Sequence, residues 1–111
     1  MSYCHVRNHC LIIRLPREID HYQAEMIRQE AEMEFLRSLI RDIIFDFSET
    51  SFMDSSGIGL ILGGVQQMKL VEGQVYLFGG NPSIKKMWEM SGIPGFAKLL
   101  DTVEEMKEVY E

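Results

Sequence analysis

Cysteine is scarce in this chain of 111 residues: Cys4 and Cys10 are the only two. That is too few for a disulfide framework, and both are expected to stay reduced. Long apolar runs are missing as well. No stretch approaches the roughly 20 residues that a bilayer span needs. The opening segment, Met1 to Arg7, has no apolar run of signal-peptide length before its first charges. The reading that follows is a cytoplasmic protein with no membrane association. Clustered basic residues are also lacking: the formal charge is −6, with acidic residues spread along the chain. A face for direct binding of DNA or RNA would need Lys or Arg grouped together, and so would attachment to an anionic bilayer. The motifs of common catalytic sites are absent too. There is no Gly-x-Ser-x-Gly elbow for a serine hydrolase. Gly57-x-Gly59 lacks the third glycine of a dinucleotide loop, and no Gly-Lys-Ser/Thr occurs. Three histidines, His5, His9 and His21, stand in the first fifth of the chain. Cys4-His5 and His9-Cys10 are expected to face each other across a hairpin. Neighbouring strand residues point to opposite faces, however, so four ligands do not converge and no metal site is expected. No cofactor is expected, and the chain reads as a non-enzyme.

What is present is an ample supply of core. Hydrophobic residues make up 46%, so residues 1–111 are read as one folded domain. Residues 4–15 read as a hairpin turning at Arg7-Asn8, with Cys10 to Leu15 a short apolar strand that Pro16 ends. Asp20 stands where an N-cap belongs, before a helix whose core stripe is Ala24, Ile27, Ala31, Phe35 and Leu39. Met26, Met33 and Ile40 fall off that stripe, either as an adaptable binding surface or as core beneath a neighbouring loop. Asp42 to Phe47 is the clearest strand, and residues 48–52 read as loop. A second helix is expected from about Ser56 to Leu70, with Ile58, Ile61, Leu62, Val65 and Met68 inward and Gly73 as its stop. Gln74 to Phe78 reads as a strand, Asn81 to Glu89 as a helix, Lys98 to Leu100 as a strand and Val103 to Tyr110 as a helix. Alternation of this kind predicts an α/β domain, a mixed sheet with crossover helices and an antiparallel first hairpin.

Residues 53–64 hold two features that plain packing does not explain. Ser55 and Ser56 follow Asp54 at the mouth of a helix, where unpaired N–H groups and the helix dipole favour negative charge. Spacing alone is met by capping; a phosphate on one of these serines would also be tolerated there. The second feature is Gly57, Gly59, Gly63 and Gly64 within one apolar helix, where each interior glycine costs about 1 kcal/mol against alanine. Close packing on a neighbour, or an exposed surface that admits a partner's backbone, would each account for them.

The run from Phe52 to Gly63 resembles the signature of anti-sigma factor antagonists, within the wider STAS family. Glu18 to Glu25 is similar to that family's first loop and helix start, and Asn81 to Met87 and Met90 to Ile93 to its third helix and the following turn. The closest likeness is to the sporulation branch. The resemblance implies a phosphoprotein that regulates transcription through a sigma factor. Its unphosphorylated form binds an anti-sigma factor, itself a serine kinase holding ATP or ADP, and so frees the sigma factor. Phosphorylation on the first serine of Asp-Ser-Ser-Gly, here Ser55, inactivates it, and a serine phosphatase resets it. The implied partner-binding residues are Glu18, Asp20, Asp54, Ser55, Ser56, Gly57, Gly59 and Gly63. The alternative is a STAS-type module that senses a nucleotide or lipid with no phosphorylation switch. Two departures stand out: Pro16-Arg17 replaces the glycine that precedes the family's loop glutamate, and Gly64 stands where relatives commonly carry a larger side chain. The first puts the loop path in question; the second is expected to alter partner choice more than fold.

Overall fold

The computed structural model describes residues 2–111. Five strands make the main sheet: β1 (Cys4–Arg7), β2 (Cys10–Arg14), β4 (Asp42–Phe47), β6 (Gln74–Gly79) and β7 (Lys98–Leu100). Their spatial order is β1-β2-β4-β6-β7, with β1 antiparallel to β2 and every other pair parallel. A second, two-stranded parallel ladder joins β3 (Glu18–Ile19) to β5 (Phe52–Met53). The helices are α1 (His21–Arg37), α2 (Ser55–Leu70), α3 (Pro82–Met90) and α4 (Val103–Tyr110), with a 3-10 turn at Ile93–Gly95. The expected α/β class, mixed sheet and crossover helices are all present.

Strand alternation divides the core in two. Leu11, Ile13, Ile43, Phe45, Val75 and Leu77 point to the face covered by α1, α2 and α3. Cys10, Ile12, Ile44 and the half-buried Tyr76 point to the other face, which α4 covers with Met106, Val109 and Tyr110. Burial raises both thiols to about 12, aided by Glu30 beside Cys4 and by Asp42 beside Cys10. Neither is a reactive thiolate at neutral pH.

Several expectations shift. The hairpin turn is Asn8-His9, since Arg7 pairs with Cys10. Both turn residues have left-handed backbone, φ 49 and 65, the pattern of a tight primed turn. Cys4 pairs with Ile13 and His5 with Ile12, so the expected facing of two Cys–His pairs does not occur. Helix α1 ends at Arg37, with Ser38 extended. Leu39 therefore leaves the helical stripe and is 58% exposed, while Ile40 is buried. Met26 and Met33 are exposed. In α2 the inward positions are Gly57, Ile61, Gly64, Val65 and Met68, and Leu62 turns outward. The α2 stop also differs. Glu72 takes the left-handed conformation, φ 55, while the Gly73 N–H reaches back to the Met68 carbonyl at 2.8 Å and that of Glu72 to Lys69 at 3.4 Å. Those two bonds form a Schellman motif with glutamate, not glycine, at its left-handed position.

The outer edge of β1 is closed by a side chain from α1. The Glu30 carboxylate accepts the Tyr3 N–H at 3.1 Å, the Cys4 N–H at 2.8 Å and the Ser2 hydroxyl. Burial works to raise the Glu30 pKa, but the bonds from Ser2, Tyr3 and Cys4 outweigh it and hold the carboxyl below its usual range.

Candidate functional site

The segment expected to be loop, residues 48–52, ends in β5, and the β3–β5 ladder is what assembles the site. Glu18 lies beside Phe52 and Ile19 beside Met53, and the Asp54 N–H donates to the Ile19 carbonyl at 3.0 Å. Chain segments 34 residues apart are thus locked together just before α1 and α2 begin. Asp20 caps α1, accepting the Gln23 N–H at 2.8 Å. Asp54 caps α2, accepting the Ser56 N–H at 2.8 Å. Two helix N-termini, each with its own aspartate, therefore start from neighbouring strands. They lie beyond the carboxyl ends of the parallel strands, where α/β sheets commonly place their binding crevices.

Pro16-Arg17 is accommodated without left-handed backbone, since the described positive-φ residues other than glycine are Asn8, His9 and Glu72. The Arg17 carbonyl accepts the Ser51 N–H at 2.8 Å, and the Pro16 carbonyl accepts the Thr50 hydroxyl at 2.9 Å. These bonds fix the loop path through the carbonyls of Pro16 and Arg17, without a left-handed residue, so glycine is not required.

Of the residues singled out in the sequence, Glu18, Asp20, Asp54, Ser55 and Ser56 gather at this end of the molecule. The α2 cap is made by the Asp54 carboxylate, not by either serine. Ser55 is the first residue of α2 and is exposed; Ser56 is partly buried. The hydroxyl of Ser55 is therefore not what holds the helix start. A group attached to it would meet the positive end of the α2 dipole and, beside it, the carboxylate of Asp54.

The four glycines separate into two pairs. A Cβ on Gly57 would come within 2.2 Å of Met53 Sδ, and one on Gly64 within 2.9 Å of Phe45 Cζ. Both face inward and permit close packing of α2 on the strands. Gly64 is consequently a core residue, against the expectation that it would bear on partner choice more than on fold. Gly57 likewise sits beneath the site and not on its surface. Gly59 and Gly63 are exposed, with nothing within 4 Å of a built Cβ. They line a groove between α1 and α2. Near Ser56 a hollow of about 170 Å³ is walled by His21, Ala24 and Gly59. The adjoining hollow, of about 180 Å³, has Ile13, Ile43 and Phe45 at its floor and Gly63 on its rim. Arg28, held by Glu25 and Glu32, borders both. Since the positions are open, Gly63→Ala is expected to raise stability by up to about 1 kcal/mol. In a thermal melt that corresponds to a rise of about 4 °C.

Sequence reasoning missed the aromatic component. Phe52 is 53% exposed on β5 and Tyr22 is 66% exposed in the first turn of α1. Such residues often anchor interfaces. Residue type alone did not distinguish them from core aromatics, and only the β3–β5 pairing puts them beside the two aspartates. No group of three or more metal-ligating side chains occurs among the described residues.

Comparison with known proteins adds four likenesses. The family described as STAS domain matches residues 4–106. An anti-sigma F factor antagonist from Lysinibacillus sphaericus is 33% identical over 100 residues, covering 90% of this chain and 84% of that protein. The structure of the anti-sigma factor antagonist SpoIIAA in its unphosphorylated form superposes with a TM-score of 0.82 at 33% identity, covering 93% of this chain and 88% of that one. The structure of the Bacillus cell fate determinant SpoIIAA in its phosphorylated form superposes with a TM-score of 0.78 at 32% identity, covering 96% of each.

Proposed function

The chain belongs to the STAS domain family, and from that premise we propose that it is an anti-sigma factor antagonist switched by phosphorylation of Ser55. In its unphosphorylated form it binds an anti-sigma factor serine kinase carrying ATP or ADP, and the sigma factor is released. After phosphate transfer the kinase no longer holds it, and a serine phosphatase restores the first state. The protein is the substrate in this cycle and carries no chemistry of its own.

One observation carries the reading: Ser55 is an exposed first-turn serine whose helix is already capped by Asp54. Its hydroxyl is free for modification without loss of the cap. A phosphate there adds about −1.5 to −2 charges at a helix N-terminus that favours anions, so the fold is retained while the surface becomes bulkier and more anionic locally. Glu18, Asp20, Asp54 and Ser56 lie at the same end of the molecule, and Gly59 and Gly63 line the groove between α1 and α2, with Phe52 and Tyr22 as apolar anchors. A kinase bearing basic residues complements that acidic rim. Gly57 contributes by letting α2 approach β5, not by touching a partner.

Incubation with an anti-sigma kinase and ATP, followed by mass spectrometry, is expected to place one phosphate on Ser55. A phosphate found only on Ser56, Thr50 or Ser51 would contradict the assignment. No incorporation with a kinase that binds the chain would favour a ligand-sensing STAS module instead.

A further inference from the structure

The sheet face beneath α4 is only partly covered, because a helix of 8 residues lies across five strands. Beside it the β1–β2 hairpin leaves a depression of about 330 Å³ lined by His5, Val6, Arg7, Ile12, Arg14 and Tyr110. Its charge is of one sign. The chain carries −6 overall, yet this lining holds two guanidinium groups, one imidazole and no carboxylate. The ion pairs found among the described residues involve Arg28 and Arg37, not Arg7 or Arg14.

The depression is also held in place. The Arg7 guanidinium lies 5.0 Å over the ring of buried Tyr110. The Asn8 side chain donates to the Tyr110 carbonyl at 2.6 Å, tying the hairpin turn to the end of α4. Ile12, 6% exposed, forms an apolar floor. Two acidic residues are near. Asp46 is the cross-strand partner of Arg14, but it is almost buried and its carboxylate accepts the Ser48 N–H at 2.9 Å. Glu111 follows Tyr110 at the end of α4 and is not part of the lining.

We infer that this depression binds a small anion bearing two phosphate-type groups, with inorganic pyrophosphate as its simplest form. Arg7 and Arg14 stand at opposite ends of the hairpin, about 13 Å apart along the strand direction at four residues' rise. Their long side chains can converge from both sides on one ligand. The planar guanidinium fork matches phosphate oxygens two at a time, and Tyr110 restricts the first fork before binding, which lowers the cost of ordering it. The site lies on the sheet face opposite the α1–α2 groove and stands independently of the Ser55 switch.

The test is a titration of the full chain with inorganic pyrophosphate at fixed ionic strength, followed by amide chemical shifts. Saturable shifts at residues 5–14 and Tyr110 are expected, with Arg7→Gln and Arg14→Gln each weakening the apparent Kd by about tenfold or more. Both residues are exposed, so both variants should keep the parent's circular dichroism spectrum. Ser55→Ala should bind as the parent does. Shifts that drift without saturating at millimolar ligand would overturn the inference, as would unchanged affinity in both arginine variants. Shifts centred on Asp54–Gly57 would likewise overturn it. Orthophosphate binding as tightly as pyrophosphate would overturn the two-group ligand. An acidic peptide that saturates the same residues where pyrophosphate does not would replace the small anion with a protein partner.

Discussion

Ser55→Asp is expected to lose affinity for the anti-sigma kinase by on the order of 100-fold, while its circular dichroism spectrum and melting temperature stay close to the parent's. The fold survives because position 55 is exposed and the cap belongs to Asp54. The aspartate also stands at a helix N-terminus, where a negative charge is stabilising by about 0.3–1 kcal/mol. Binding suffers because a second carboxylate beside Asp54 must be buried against a surface built for a neutral hydroxyl. An unpaired interfacial charge costs about 2–5 kcal/mol, and about 2.8 kcal/mol is a factor of 100. Ser55→Ala should bind at close to parent affinity and resist inactivation by the kinase. Calorimetry with adenine nucleotide present measures both. Equal affinity of the two variants would remove the switch from this serine, and partial loss in the aspartate variant is consistent because a carboxylate carries less charge than phosphate.

Gly73→Val is expected to be the most damaging single change to the fold, by about 3 kcal/mol or more, from overpacking against rigid backbone. That corresponds to a drop of about 12 °C in melting temperature. A Cβ at this position would stand 1.9 Å from the Arg41 carbonyl oxygen and 3.0 Å from Met68 Sδ. The oxygen belongs to backbone entering β4, and one residue later Asp42 and Gln74 begin the pairing of β4 with β6, helped by a 3.1 Å bond from the Gln74 N–H to the Asp42 carboxylate. Relief of the clash therefore requires the two central strands to part. A Gly73→Val chain that melts within about 2 °C of the parent would show that β6 can slide to relieve it. Gly63→Ala, expected to shift the melt upward, is the internal control that separates a glycine needed for space from one that is not.

The large elements were legible because their patterns are redundant. Asp42 to Phe47 offers β-branched and aromatic residues on both faces, and Asp20 precedes a helix that it does cap. Where the reading failed, the deciding interaction was distant in sequence or carried by an absent side chain. The β3–β5 ladder has two residues per strand, too short for any alternation to register. Gly57 and Gly64 occupy the inward face of α2, so a stripe drawn from large apolar residues missed them and took in Leu62, while Ile58 does pack against the core. Leu39 fits the period of α1, but Ser38 ends the helix and the periodicity no longer applies. Gly73 has the position of a helix stop, yet Glu72 takes the left-handed turn and Gly73 answers to a carbonyl 32 residues earlier. At the site itself, motif and resemblance located Asp54-Ser55-Ser56, whereas the exposed aromatics Phe52 and Tyr22 needed the fold.

The hold of Glu30 on the first strand limits what the sheet edge can offer to another strand. Tyr3 pairs inward with Arg14, whose N–H donates to the Tyr3 carbonyl at 2.9 Å. The outward backbone groups of β1 are therefore those of Cys4 and Val6. Glu30 occupies the Cys4 N–H and takes the single Ser2 hydroxyl proton, whose oxygen lies 3.0 Å from the Cys4 carbonyl. Among the described residues of β1 this leaves the Val6 donor and acceptor and the Cys4 carbonyl, too short a template for strand addition. The protection is acid-labile. Because the folded carboxyl titrates below its unfolded value, near 4.3, its contribution is complete above that pH and fades as the pH falls through the lowered value. Acidification thus loosens the closure of the β1 edge, while the exposed His5 and Arg7 on that strand and the excess of Lys, Arg and His over ionised carboxylates below the pI of about 5.0 give copies of the chain like charges that oppose edge-to-edge pairing.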